Sequence, residues 1–266
     1  MSELNVQGTN VSIKGILFDK DGTLLDFVSM WGSWSKHMLS AFSQRITNMQ
    51  LTPPSHHELY SLWGIMVDHE EQVIDYDRNG PLAMGTIDEL LALLAGQGYS
   101  AGISWAEAKK LVYECKEIAD KELERLRPVQ PLPGVRSFLE QCRKQGLLLA
   151  VVTADETDAA IHHLEWLNIR EYFSEVIGTD QVERGKPFPD MVELACRRLS
   201  LDVSQVAVIG DTNGDMMMAR AAGVKLGIGL TAINLKGNES LLLDADVRIT
   251  SYGQLRLRGA ADESGE

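Results

Sequence analysis

Hydrophobic positions follow two different rhythms along the 266-residue chain. From Leu132 onward, short continuous apolar runs alternate with stretches whose apolar residues recur every three or four positions. Leu147–Thr153, Glu175–Gly178, Gln205–Gly210, Val224–Ile228 and Val247–Thr250 read as strands. Between them, Glu156–Leu167, Pro187–Leu199 and Asp215–Ala222 read as helices. The second opens on a proline, where a missing N–H costs nothing, and the third is stopped by Gly223. This alternation predicts an α/β fold, a parallel sheet with helices on both faces. Ile13–Phe18 is a strand of the same kind, placed more than a hundred residues ahead of its partners.

The interval 26–130 has the helical rhythm throughout. Ser29–Ile46, Ser55–Asp68, Thr86–Ala95 and Ser104–Leu126 read as helices, with no convincing strand among them. Ser104 is a good N-cap, and Glu107 three residues on completes a capping box. The proline-rich stretch 127–134 reads as a return linker. The predicted organisation is therefore an α/β core, 11–25 with 131–255, and a helical module, 26–130, inserted after the first strand. An insert at that point leaves the ligand-binding edge of the sheet and is expected to cover the site. The polar segment Met1–Asn10 and the acidic tail Gly259–Glu266 are expected to be loose.

Composition narrows the function. Hydrophobic content is 44% and charged content 24%, as in ordinary soluble domains. A net charge of −13 argues against nucleic acid as a partner but is compatible with a small anionic substrate, because a local field can oppose the global one. The three cysteines, Cys115, Cys142 and Cys196, form no CxxC pair and are expected to pack as small hydrophobes, in keeping with a cytoplasmic setting. No apolar run approaches the roughly 18 residues of a membrane span, and the polar N-terminus is no signal peptide. Oligomeric state leaves no mark in the pattern.

The chemistry-bearing residues gather at strand ends. Phe18-Asp19-Lys20-Asp21-Gly22-Thr23 places two acids two residues apart before a glycine. Carboxylates this close repel unless a cation or a shared proton lies between them. Taken alone, Asp-x-Asp-Gly is also the composition of a surface turn. A calcium loop is excluded, since its required Gly and Glu, counted from Asp19, fall on Leu24 and Met30. Thr153-Ala154-Asp155 ends a second strand, where a hydroxyl and backbone N–H groups can hold phosphate oxygens or cap a helix. Gly185-Lys186-Pro187 sets an ammonium before a helix start, able to neutralise phosphate or a crowded carboxylate, although most lysines are simply solvated. Gly210-Asp211-Thr212-Asn213-Gly214-Asp215 brings two carboxylates four residues apart, and here too the calcium-loop positions are wrong, falling on Met216 and Ala222. Capping and helix-dipole compensation are its structural alternatives. Each element is ambiguous alone; four in this order along one sheet are not a chance assembly.

The ordered set resembles the haloacid-dehalogenase-like superfamily of phosphohydrolases, in its phosphoglycolate-phosphatase-like branch with a helical, C1-type cap. The resemblance covers nearly the whole α/β part and implies a Rossmann-like three-layer parallel core with an inserted α-helical cap. It implies a Mg²⁺-dependent phosphatase acting on a small phosphorylated metabolite, phosphoglycolate-like or a sugar phosphate, through an aspartyl-phosphate. Asp19 would be the nucleophile and Asp21 the general acid and base. Mg²⁺ would be held by the Asp19 carboxylate, the Asp21 carbonyl and Asp211, with Asp215 ligating through water or orienting the shell. Thr153 and Lys186, with backbone N–H groups near Gly22 and Ala154, would hold the phosphoryl oxygens. Lys20 departs from the usual apolar residue, and its side chain is expected to point away from the site.

In the helical module, Trp31, Trp34, Trp63 and Trp105 are expected mainly to fill a core. Trp31 near the hinge, and Arg78 and Thr86 at the ends of a loop-like stretch, are candidate substrate contacts. The pairs His56-His57 and His162-His163 lack a third ligand and read as surface or helix-packing residues rather than a zinc site. A phosphomutase of the same fold, such as a β-phosphoglucomutase, is the alternative, and a non-catalytic regulatory member a remoter one. Asp21 argues against dehalogenase and phosphonatase chemistries, which by the same resemblance lack an acid there.

Overall fold

The apolar runs of the sequence become the central strands of a six-stranded parallel sheet. The structure, a computed structural model, describes residues 2–231 and 242–258. The chain opens with β1 (Ser2–Val6), β2 (Thr9–Ile13) and β3 (Gly15–Phe18). A π-helical turn over Val28–Gly32 runs into α1 (Ser33–Asn48), followed by α2 (His56–Trp63), β4 (Ile65–Val67) and β5 (Val73–Tyr76). Next come α3 (Pro81–Met84), α4 (Ile87–Ser100), α5 (Trp105–Leu126) and α6 (Val135–Lys144). The remainder alternates: β6 (Leu148–Val152), α7 (Thr157–Trp166), β7 (Glu175–Ile177), α8 (Asp190–Leu199), β8 (Val206–Gly210), α9 (Asn213–Ala222), β9 (Leu226–Leu230), β10 (Val247–Ile249) and β11 (Leu255–Arg258). By their contacts the described residues form two units, one made of the chain up to Asp26 with the chain from Pro131 onward, the other of Phe27–Gln130.

In the first unit the strand order is β10-β9-β8-β3-β6-β7, all parallel. From β3 the chain builds outward through β6 and β7 on one side, then returns to build β8, β9 and β10 on the other. The order therefore reverses at β3, and the carboxyl ends of β3 and β8 flank the crevice that such a reversal creates. Register is set by Phe18, which lies opposite Val151 of β6 and Ile209 of β8. Every residue of β3 and β8 is buried, which explains their unbroken apolar character. Leu17, Val152 and Val208 meet Met191 and Val192 of α8 and Met218 of α9 on one face. On the other face Phe18 sits edge-on to Phe138 of α6 and to Phe173, with ring centroids 6.3 and 5.8 Å apart. Each such side chain contributes about 1.5–3 kcal/mol on burial, so the strand that carries the first acids is also among the most firmly held.

One expectation about order changes. The N-terminal segment is not loose: β1 and β2 form a hairpin whose other edge takes β11, giving a second, three-stranded antiparallel sheet. Leu4 and Val6 are buried in alternation, and Gln7 and Gly8 turn with positive φ, so a period-two signal lay within a segment that reads as merely polar. The tail Gly259–Glu266, also expected to be loose, lies outside the described residues. Helix boundaries shift by a few residues; α8 begins at Asp190 rather than at Pro187.

The second unit is mostly helical but holds a strand pair, β4 with β5, where none was expected. The predicted helix Ser55–Asp68 stops at Trp63 because Gly64 takes a left-handed conformation, φ +76°, and ends it. Ser104 caps α5 as expected, accepting from the Glu107 N–H. Trp34 anchors the interior: it stacks on Trp63 at 5.6 Å, meets Trp31 edge-on at 5.4 Å and donates its indole N–H to Asp120 at 2.8 Å. Trp105 is the exception, being half exposed.

The chain leaves and re-enters the first unit side by side. Leu25 bridges Pro131, and the Leu132 N–H donates to the Leu24 carbonyl at 3.0 Å.

All three cysteines are buried and unbridged, and burial pushes their thiols up, to about 11 for Cys115 and Cys196 and to about 12 for Cys142. The thiolate is the reactive form. At pH 8 a thiol reagent is therefore expected to label none of the three in the native protein and all three in denaturant. Fast labelling of any one in native conditions would contradict this packing.

Candidate active site

The site begins where β3 ends. The Asp19 N–H donates to the Ile209 carbonyl at 2.8 Å, so the ladder with β8 runs up to this residue and fixes its backbone. The chain then turns sharply: Leu24 and Leu25 both donate back to the Lys20 carbonyl, and Gly22 donates to Leu25 with φ +78°. That left-handed conformation suits glycine, which gives the Gly of the motif a structural reason. Tyr252 secures the far side of the turn. Its buried hydroxyl donates to the Thr23 carbonyl at 3.1 Å, a contact between residues 229 apart that no local motif foretells.

At the end of β8, Thr212 caps α9 in a reciprocal box with Asp215. The Thr212 N–H and hydroxyl donate to Asp215 Oδ2 at 3.1 and 2.6 Å, and the Asp215 N–H donates to Thr212 Oγ1. A side chain on Gly210 would press its Cβ to within 2.6 Å of Asp215 Oδ2, so glycine here makes room for the carboxylate. Lys186 binds two of the acids at once, donating to Asp19 Oδ1 and pairing with Asp215 Oδ1 at 2.6 Å. Asp19, Asp211 and Asp215 are buried and offer carboxylate oxygens within 4.8 Å of one another. Burial pushes the Asp19 carboxyl up to about 7; Lys186 opposes the rise, and the charges of Asp215 and Asp21 add to it. For Lys186, burial favours the neutral amine, but Asp19 and Asp215 outweigh it and raise the ammonium above its ordinary range.

At the end of β6, the buried Thr153 accepts from the Asp155 N–H at 3.2 Å, and Glu156, not Thr153, is the N-cap of α7. Ala154 lies in the same turn. The surprise is Lys20. It does not point away from the site: it is fully buried, and its Nζ lies 2.7 Å from Asp21 Oδ1, 3.2 Å from Asp155 Oδ2 and 3.2 Å from His163 Nδ1. The strand ends at Phe18 and the backbone turns at Lys20, whose carbonyl accepts from Leu24 and Leu25 while its ammonium pairs with the acid next to it. Burial would push Asp155 up, but Lys20 and His163 hold its carboxyl well below the usual range. Burial would likewise lower Lys20, and Asp21 and Asp155 raise it instead.

His162 is exposed, whereas its neighbour His163 is buried in this polar cluster rather than packed as a surface group. The candidate substrate residues belong to the other unit and have roles there. Trp31 is buried against Phe27 and Trp34, Arg78 lies 4.0 Å over the Tyr76 ring and donates to the Tyr76 carbonyl at 2.7 Å, and Thr86 caps α4 in a box with Glu89.

The family model of the haloacid dehalogenase-like hydrolases matches residues 13–223. Curated relatives 36–40% identical, a probable phosphatase of Dickeya dadantii and a phosphoglycolate phosphatase of Salmonella paratyphi A, align with 37–46% of this chain. The chain spans about half the length of these relatives, 43–48%. A phosphoglycolate phosphatase of Photorhabdus laumondii is 28% identical over 74% of this chain and 88% of its own. Among solved structures, a predicted phosphoglycolate phosphatase of Haemophilus somnus superposes with a TM-score of 0.63 at 21% identity, covering 90% of this chain and 94% of its own. A β-phosphoglucomutase of Clostridium difficile reaches 0.62 at 18%, covering 92% and 93%. At these identities the two structures speak for the fold alone.

The donors of the aspartate cluster are all carboxylate oxygens, the hard ligands Mg²⁺ prefers. Three carboxylates set against one ammonium also leave an excess of negative charge for a cation to offset. The residues present thus fit a divalent metal held by Asp19, Asp211 and Asp215. A ligand that binds only the folded state raises the melting temperature by mass action. Titrating the protein with MgCl₂ is expected to raise Tm, and Asp211→Asn is expected to remove that rise. An undiminished rise in the variant would place the metal elsewhere.

Proposed function

The chain belongs to the haloacid dehalogenase-like hydrolases, and from that premise we propose that it is a phosphatase that hydrolyses a small phosphorylated metabolite through an aspartyl-phosphate on Asp19. The observation that carries this reading is the meeting of Asp19, Lys186, Asp211 and Asp215 at the ends of β3 and β8, with Asp21 on the turn beside them. Bound Mg²⁺ would supply charge compensation between the carboxylates and the incoming phosphate dianion. The Asp19 carboxylate attacks phosphorus while the ester P–O bond breaks, and Asp21 gives its proton to the departing oxygen. Water then attacks the phosphorus, its proton passes to Asp21, the acyl-phosphate P–O bond breaks, and inorganic phosphate leaves with Asp19 restored. One residue serves both halves because they require opposite protonation states. Lys186, held by two carboxylates, sits where it can follow charge onto the transferring oxygens, and Thr153 with the N–H groups near Gly22 and Ala154 would fix the rest. Phosphoryl transfer is mostly positioning and charge stabilisation, so these contacts matter as much as the nucleophile.

The curated relatives named phosphoglycolate phosphatases support a phosphoglycolate-like substrate, and a sugar phosphate stands beside it as the second choice. The fold is shared with a phosphomutase; the curated relatives, named phosphatases, favour water as the acceptor. Magnesium-dependent phosphate release is expected from a panel including phosphoglycolate and sugar phosphates, with Asp19→Asn abolishing turnover by at least about 10³-fold. Wild-type rates in a clean Asp19→Asn preparation would remove the nucleophile assignment. Isomerised sugar phosphate without free phosphate would make the protein a mutase.

A further inference from the structure

The mechanism leaves one buried cation without a task. Lys20 has no exposed surface, yet it carries a charge at the heart of the first unit. An ammonium has three N–H donors and no acceptor. Here three partners stand within reach: Asp21 Oδ1 at 2.7 Å, Asp155 Oδ2 at 3.2 Å and His163 Nδ1 at 3.2 Å. His163 Nδ1 also lies 3.3 Å from Asp155 Oδ2, so the imidazole sits against both members of the Lys20–Asp155 pair. Asp155 and His163 lie side by side as one buried anchor for the ammonium, and Asp21, the more open of the acids, is its nearest partner.

Both members of that anchor are tied down in turn. Asp155 accepts from the Glu156 N–H at 2.9 Å and donates its own N–H to Thr153 Oγ1, so it is part of the turn after β6. His163 lies on α7, its ring 5.1 Å from that of Trp166. Lys20 therefore joins the turn after β3 to the turn after β6 and the helix that follows it. This lysine pairs with the buried Asp155 and, more closely, with the less buried Asp21.

We propose that Lys20 is a positioning residue: clamped by Asp155 and His163, it holds the Asp21 carboxylate in the orientation from which it protonates the leaving group, and ties that orientation to the phosphate-side turn carrying Thr153. It touches neither substrate nor metal in this role. The proposal rests on Asp21 being the acid of the phosphatase reading. Its consequence is selective. Misplacing an acid costs most when the leaving group must be protonated, and little when the leaving group departs as a stable anion.

The test compares kcat/KM for phenyl phosphate and p-nitrophenyl phosphate, because kcat/KM reports the steps through departure of the leaving group. In Lys20→Met, phenyl phosphate is expected to lose about 100-fold, in the range of a lost general acid, and p-nitrophenyl phosphate less than about tenfold, with Asp19→Asn dead on both. Removing Lys20 alone strands Asp155 in the interior. Lys20→Met with Asp155→Asn removes both charges together and is expected to show the same split if the single variant does not fold. Equal losses on the two esters, or none, in a folded variant overturn the proposal and leave the phosphatase reading standing. A wild type that releases phosphate from neither ester overturns that reading and the proposal with it.

Discussion

Crowding of like charge is the constraint to which the rest of this structure answers. Asp19, Asp155, Asp211 and Asp215 are buried at one edge of one sheet, with Asp21 half-buried beside them. Isolated buried carboxylates are costly, and groups in that position ordinarily give up their charge or find a partner. Two lysines do most of the work of compensation, and each is bidentate in effect: Lys186 spans Asp19 and Asp215, and Lys20 spans Asp21 and Asp155. The lysines come from different turns, so the chain ends of β3, β6 and β8 are bound to one another by charge as well as by the sheet. Replacing such pairs by apolar residues is often neutral for stability or better. Their presence is thus better understood through reactivity than through folding.

That compensation also explains several residues that look incidental. Gly210 leaves space for the Asp215 carboxylate, Thr212 engages one of its oxygens so that the other faces Lys186, and Gly22 permits the turn that returns Lys20 to Asp21. Tyr252 ties this turn to the last 3₁₀ turn of the described chain. None of these makes chemistry itself; each narrows the freedom of a group that would.

How much of this could be read from sequence varies with how local the cause is. The parallel sheet was legible because strands covered on both faces leave unbroken apolar runs, and the acids were legible because they fall at the ends of those runs. Lys186 could be named as a neutraliser of crowded carboxylates for the same reason. Lys20 and His163 could not be joined in advance, since they lie 143 residues apart and meet only when α7 packs beneath the first turn. The β1–β2 hairpin is masked in the sequence because polar residues on its open face dilute the alternation of Leu4 and Val6. In the second unit, Gly64 was the available sign that a helix stops, and the strand pair beyond it is too short to announce itself by periodicity.

The side-by-side exit and return of the chain at Leu24–Leu25 and Pro131–Leu132 has a consequence for what the fold can tolerate. A segment whose two ends are neighbours can lengthen, shorten or be replaced without asking the sheet to change its register, and the entropic cost of a longer loop rises only with the logarithm of its length. The inserted hundred-odd residues are then a replaceable part on a fixed mount. Its length and sequence can change while β3 and β6 keep their register.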